Sequence, residues 1–100
     1  MYIVLTYRPL SEGDLDQFIA LEHYAFPTNY VSHVSTDVAA DRLARLRGVF
    51  VGETLAAQLE IIPLRVQAGA GEIHAAGIGS VASAPQLRRR GHVALLLRRL

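Results

Sequence analysis

Arg88-Arg89-Arg90-Gly91-His92 is the part of this 100-residue sequence that points most directly to a chemistry. An apolar run ending at Ala84-Pro85 precedes it, and Val93, Leu96, Leu97 and Leu100 come after it at helical spacing. That order sets a helix N-terminus directly after a strand. The first N–H groups of a helix have no acceptor within it, and its dipole makes that end positive, so the turn suits an anion. Three arginines add fixed charge and planar donors that match phosphate oxygens. A pyrophosphate uses such a turn better than a single phosphate does. The alternatives are a solvated basic turn and a nucleic-acid contact. No Tyr, Phe or Trp interleaves the arginines, so a base-stacking platform is not expected there.

Proton-transfer candidates are fewer. Histidine titrates near neutral pH, which makes His74 and His92 candidate bases. His74 precedes Val81 by roughly 23 Å at strand rise and is remote from the turn. His92 lies inside the turn and is read as covering the anion. His23 and His33 are read as surface or core residues. No histidine pair has the spacing of a zinc-binding helix and Cys is absent, so neither a metal site nor a thiolate nucleophile is expected. All ten basic residues are Arg, which excludes a lysine nucleophile. Glu60 and Tyr24 complete the list of candidate bases, and Tyr24, Phe26 and Tyr30 could line an acceptor pocket.

Periodicity supplies the secondary structure around these residues. Residues 2–9 alternate, with Tyr2, Val4, Thr6 and Arg8 on one side and Ile3, Leu5 and Tyr7 on the other, a strand ending at Pro9. Ser11-Glu12-Gly13-Asp14 resembles a capping box. It opens a helix to about Ala25, stopped by Pro27, with a polar turn over 28–35. Ser35 or Thr36 caps a second helix with Val38, Ala39, Leu43 and Leu46 as its apolar stripe, an Asp41–Arg45 pair, and Gly48 just past its end. Val49–Val51 is a short strand, Gly52-Glu53 a tight turn, and Leu55–Gln67 a long strand. Pro63 has no N–H to donate, so that strand is an edge or is bulged near there. Gly69-Ala70-Gly71 is a hairpin turn. Glu72–Ser83 is apolar enough to predict burial on both faces, and Gly77 and Gly79 inside it predict a bulge or a close ligand.

Composition bounds the rest. One domain at most fits the length, and 51% hydrophobic residues argue against disorder. The apolar runs are too short for a membrane span, and the N-terminus lacks a secretory pattern, so a cytoplasmic protein with no membrane partner is expected. A net charge of +1 implies no global attraction to nucleic acid. The chain ends at Leu100 within a helical pattern that has no stop signal, which predicts the N-terminal portion (1–100) of a longer domain. Such a piece would expose apolar faces and associate into a homo-oligomer.

The segment from Ala76 through Pro85, followed by Arg88-Arg89-Arg90-Gly91, resembles the GNAT N-acetyltransferases, and within them the Eis (enhanced intracellular survival) branch. Arg88 and Gly91 match the first and fourth positions of that family's pyrophosphate loop, while Val93 stands where Gly or Ala is usual. The resemblance implies an α/β fold in the order β-α-α-β-β-β-α, with a mixed, mostly antiparallel sheet, incomplete at the C-terminus. It implies acetyl-CoA as co-substrate and a primary amine, small molecule or peptide, as acceptor. It further implies that the backbone of Val81, Ala82 and Ser83 pairs with the pantetheine amides. Arg88, Arg89, Arg90, Gly91, His92, Val93 and Ala94 would hold the pyrophosphate. No catalytic residue is identified. Some relatives place a Glu midway along the strand before the loop, where this chain reads Ala75-Ala76-Gly77-Ile78-Gly79. The Eis branch is thought to use a Tyr beyond the loop and its own C-terminus, so residues 1–100 alone are expected to be inactive. A non-catalytic acyl-CoA-binding or oligomerising fragment is the alternative, and a nucleic-acid module the weaker third.

Overall fold

The computed structural model describes residues 4–26 and 42–100. Among these residues four strands form one sheet in sequence order: β1 (Leu5–Pro9), β2 (Leu46–Val51), β3 (Thr54–Ala68) and β4 (Gly71–Ser83). Every neighbouring pair is antiparallel, with Leu5 opposite Val51, Leu46 opposite Glu60 and Ala57 opposite Ser83. The turns expected between them are present, with Gly52 and Gly69 both at φ +60°, a backbone region that costs a non-glycine residue about 1 kcal/mol.

Helix α1 (Leu15–Ala25) begins where the Ser11–Asp14 pairing predicts. The Asp14 carboxylate accepts from the Ser11 backbone N–H at 2.8 Å and from its hydroxyl at 2.9 Å. Arg8 grips the same carboxylate with both terminal nitrogens, at 2.6 and 3.0 Å. These donors outweigh the cost of burial and hold the Asp14 carboxyl at about 2. Leu15, Phe18 and Leu21 then fall on one helical face and pack with Leu10, Leu46, Phe50, Leu55 and Ala82. Gln17 ties this helix to the β2–β3 turn, donating to the Glu53 carbonyl at 2.9 Å and accepting from the Leu55 N–H at 2.8 Å. A β-bulge at Ala56, between the Phe50–Leu55 and Val49–Ala57 pairs, puts Ala57 and Leu59 on the face opposite Leu55, where they pack with Val49 and with Leu96 of helix α2 (His92–Arg98).

Three expectations change. The second helix over 36–47 lies largely outside the described residues, as do Pro27, the 28–35 turn, Asp41 and the Asp41–Arg45 pair. Its C-terminal limit is corrected: 43–45 is a short 3₁₀ turn, and Leu46 already belongs to β2 with no exposure. Gly48 is therefore a strand residue rather than a helix terminator. A Cβ there would come within 2.7 Å of Leu55 Cδ1 and 2.8 Å of Leu10 Cδ1, so packing and not helix termination requires the glycine.

The third concerns β4, which is not buried on both faces. Residues 71–76 are exposed, and within the strand Ala82 alone is buried. The cause is geometric. β2 stops pairing with β3 at Glu60, so among the described strands 61–68 and 71–78 pair only with each other, as a two-stranded arm, with Leu64, Val66, Ile73 and Ile78 exposed. Pro63 sits in that arm, where β3 has one neighbour, as its missing N–H requires. Gly79 and Gly77 leave room for cross-strand side chains: a Cβ would meet Ile62 at 2.9 Å and Leu64 at 3.1 Å respectively.

Candidate functional site

The end of β4 departs from regular pairing. Gln58 pairs with Ala82 and Glu60 with Gly79, so Ser80 and Val81 together stand opposite Leu59. This is a β-bulge with one extra residue in β4, the device that Gly77 and Gly79 anticipated. Ser80 occupies the left-handed region at φ 52°. Past the bulge, Val81 is 40% exposed while Ala82 turns back into the core. The Ala84 N–H then donates to the Ala56 carbonyl at 2.8 Å, and Pro85–Leu87 forms a 3₁₀ turn.

Two left-handed residues, Arg89 at φ 63° and Gly91 at φ 78°, shape the loop that leads from this turn into α2. Gly91 is the N-cap of α2, and its carbonyl accepts from the Leu95 N–H at 2.9 Å. The N–H groups of His92, Val93 and Ala94 thus belong to a first turn that offers them no acceptor. Ser83, Arg88, Arg89 and the run from Gly91 to Ala94 line a cleft of about 400 Å³. None of the described carboxylates lines it. Among the described residues, Arg89 and Arg90 make no hydrogen bond or ion pair, and Arg88 makes one polar contact of a different kind, its guanidinium 5.6 Å from the centre of the Tyr24 ring. His92 is 7% exposed, and its Nε2 has no hydrogen-bond partner among the described residues. Unneutralised cations, free N–H groups and a concave wall together can hold a polyanion.

Seven of the expected cofactor residues are therefore brought together: Ser83, Arg88, Arg89, Gly91, His92, Val93 and Ala94. Val81, Ala82 and Arg90 do not line the cleft. Val81 lies on the bulge, the Ala82 side chain packs under α1, and Arg90 points to solvent. His74 lies on the exposed arm opposite Arg65, away from the cleft. Tyr24 lines a separate pocket of about 240 Å³ with Leu21, Leu55, Ala84 and Pro85. Tyr30 and His33 fall outside the described residues. Among the described residues no three metal-ligating side chains cluster, and no helix is long and apolar enough to cross a membrane.

A second group of charges went unrecognised in the sequence. Glu60, 6% exposed, accepts from Arg42 Nε at 2.9 Å and Nη2 at 2.6 Å, and from Arg45 Nε at 2.9 Å. Arg42 Nη2 also donates to Ser80 Oγ at 2.7 Å and lies 3.5 Å from Glu22 Oε1, while its guanidinium covers the Phe18 ring at 5.1 Å. Burial pushes the Glu60 carboxyl up, but the two guanidiniums outweigh it and hold it below its ordinary value. Glu60 is thus committed to arginine and is a poor general base. Local spacing carried no signal for this cluster.

Comparison with known proteins places the chain. A family model described as the acetyltransferase (GNAT) domain matches residues 6–100. No curated protein matches the sequence significantly. A GCN5-related N-acetyltransferase from Kribbella flavida is 25% identical with a TM-score of 0.81, covering 96% of this chain and 26% of its own. A GNAT family acetyltransferase from Brucella melitensis, solved with acetyl-CoA, is 19% identical with a TM-score of 0.70, covering 98% of this chain and 66% of its own. An aminoglycoside acetyltransferase from an uncultured soil metagenomic sample, solved with sisomicin, is 19% identical with a TM-score of 0.69, covering 95% and 66%. The chain spans about a quarter of the length of the Kribbella protein. The chain belongs to the GNAT acetyltransferase family and has its α/β fold.

Proposed function

We propose that the protein carrying this chain transfers the acetyl group of acetyl-CoA to a primary amine. In this reading Arg88, Arg89 and the first-turn N–H groups of α2 hold the pyrophosphate. The outer edge of β4 at Val81–Ser83, which has only β3 beside it among the described strands, takes the pantetheine amides as an added strand would. The amine nitrogen attacks the thioester carbonyl, a C–N bond forms as the C–S bond breaks, and the proton lost by the amine ends on the released thiol. The observation that carries the reading is the cleft after β4, where arginines without carboxylate partners face an open helix N-terminus.

In this reading the chain supplies cofactor binding, and none of the described carboxylates lines that cleft. Residues 1–100 are read as the N-terminal portion of one acetyltransferase domain, inactive alone; coverage of 26% of the Kribbella protein supports a partial domain. The run from Ala76 to Pro85 with Arg88-Arg89-Arg90-Gly91 favours the Eis branch. The sisomicin complex of one structural neighbour favours a small-molecule amine as acceptor. Acetyl-CoA supply favours the cytoplasm, and the exposed apolar arm favours association between copies of the protein.

Calorimetric titration with CoA tests the site. Arg88→Ala and Arg89→Ala should each weaken binding about 10- to 100-fold, the worth of a charge-assisted hydrogen bond to phosphate. Arg90→Ala, outside the cleft, should change it less. Unchanged affinity in all three variants would put the phosphates elsewhere.

A further inference from the structure

We infer that Arg42 is a positioning residue for the acyl end of the cofactor, acting through Ser80 and the bulge in β4. This placement rests on acyl-CoA lying along Val81–Ser83, as proposed above. Ser80 is one of two non-glycine residues at positive φ among those described, and the other, Arg89, lies in the phosphate loop. A left-handed serine costs about 1 kcal/mol and persists where its surroundings impose it. Here the imposing contact is visible. Arg42 Nη2 donates to Ser80 Oγ at 2.7 Å, and Glu60 anchors the same guanidinium through two further bonds. Arg45 holds the other oxygen of Glu60 at 2.9 Å.

The cluster joins three parts of the fold to the bulge. Glu22 belongs to α1, Arg42 to the segment leading into β2, and Glu60 to β3 directly opposite Gly79. Glu22 and Glu60 are both nearly inaccessible, so their charges carry a desolvation cost that a purely apolar filling would avoid. Fixing the register of a chain segment is one role for which such groups are retained. The backbone conformation fixed here is the kink that gives β4 its extra residue. That kink turns Val81 outward one residue before the strand regains its register at Ala82. Arginine in the phosphate loop thus holds the cofactor by its charge, whereas Arg42 sets the strand geometry at the far end of the same stretch.

Ser80→Ala and Ser80→Asn, made in the full-length protein, separate this role from general stability. Asn tolerates the left-handed region and offers an oxygen to Arg42; Ala does neither. Ser80→Ala should lower kcat about tenfold or more, with the affinity for CoA, read by calorimetry, changed less than about twofold. It should also reduce the difference in affinity between acetyl-CoA and CoA. Ser80→Asn should retain kcat and that difference. Equal damage in both variants, a parallel loss of CoA affinity and kcat in Ser80→Ala, or no effect in either, would overturn the role of Arg42 and Ser80 while leaving the cofactor site standing. Failure of the unsubstituted protein to bind CoA would instead overturn the cofactor site, and this inference with it.

Discussion

Two groups of arginines lie at the two ends of the same short stretch of β4, and they are built in opposite ways. Arg42 and Arg45 converge on the carboxylate of Glu60, within 3 Å of it in each case. Arg89 and Arg90 have no carboxylate at all among the described residues, and Arg88 has an aromatic ring. A guanidinium with its anion in place holds structure together, and its loss leaves a buried carboxylate alone. A guanidinium held in a concave wall without an anion is available to one from outside. Charge type is the same in the two groups, and the presence of the carboxylate decides the role.

Removing Glu60 tests that contrast most severely. Glu60→Ala takes the shared carboxylate from Arg42 and Arg45, and breaking a buried pair in this way costs about 3 kcal/mol. Arg89→Ala should change stability by within about 0.5 kcal/mol, as for an exposed side chain without partners. Chemical denaturation of the two variants reads both numbers, and similar losses would erase the distinction.

The loop over Arg88–Gly91 has its own strain, and glycine reports on it. Gly91→Ala places a Cβ on a residue at φ 78° and should destabilise by about 1 kcal/mol. Arg89→Gly relieves a residue at φ 63° and should leave stability unchanged or raise it by a few tenths of a kcal/mol, since glycine's greater freedom when unfolded offsets part of the relief. The same Arg89→Gly change should weaken CoA binding. Stability and affinity moving in opposite senses at one position would mark the loop as shaped for its ligand.

A further arginine, Arg8, gives an effect that shows only in acid. Arg8 is 38% exposed on its side chain yet grips the 9% exposed Asp14 bidentately. The Asp14 carboxyl lies at about 2 in the folded chain against 3.8 ordinarily. Its folded value is the lower one, so its contribution is complete above about pH 4 and is lost as pH falls toward 2. After allowance for solvent screening at Arg8, that contribution is on the order of 1 kcal/mol. Asp14→Asn should flatten this part of the acid limb in a stability-against-pH series. An unchanged limb would assign it to other carboxylates.

Much of this fold is set by local order in the chain. The alternation before Pro9, the Ser11–Asp14 start of α1, the glycine turns at 52 and 69 and the strand-turn-helix order around Arg88 each act over a few residues, where propensity and periodicity operate. The contacts that the chain order does not reveal are long-range. Arg42 meets Glu60 across 18 residues and Ser80 across 38. No spacing rule predicts a meeting that depends on how α1, β3 and β4 stack. Gly48 resembled a helix end because its sequence neighbours are helical in composition, but the side chains of Leu10 and Leu55 crowding it come from two other segments. The apolar run of β4 implied burial, yet burial needs a covering layer, and β2 pairs with β3 no further than Glu60. Residue order is enough to specify β1, the start of α1, the β3–β4 hairpin, the glycine turns and the charge of the loop at Arg88–Arg90, because those depend on neighbours along the chain. Which arginines are neutralised, where β4 kinks and which apolar residues stay in solvent are settled by packing, because each depends on what another segment brings within a few ångströms.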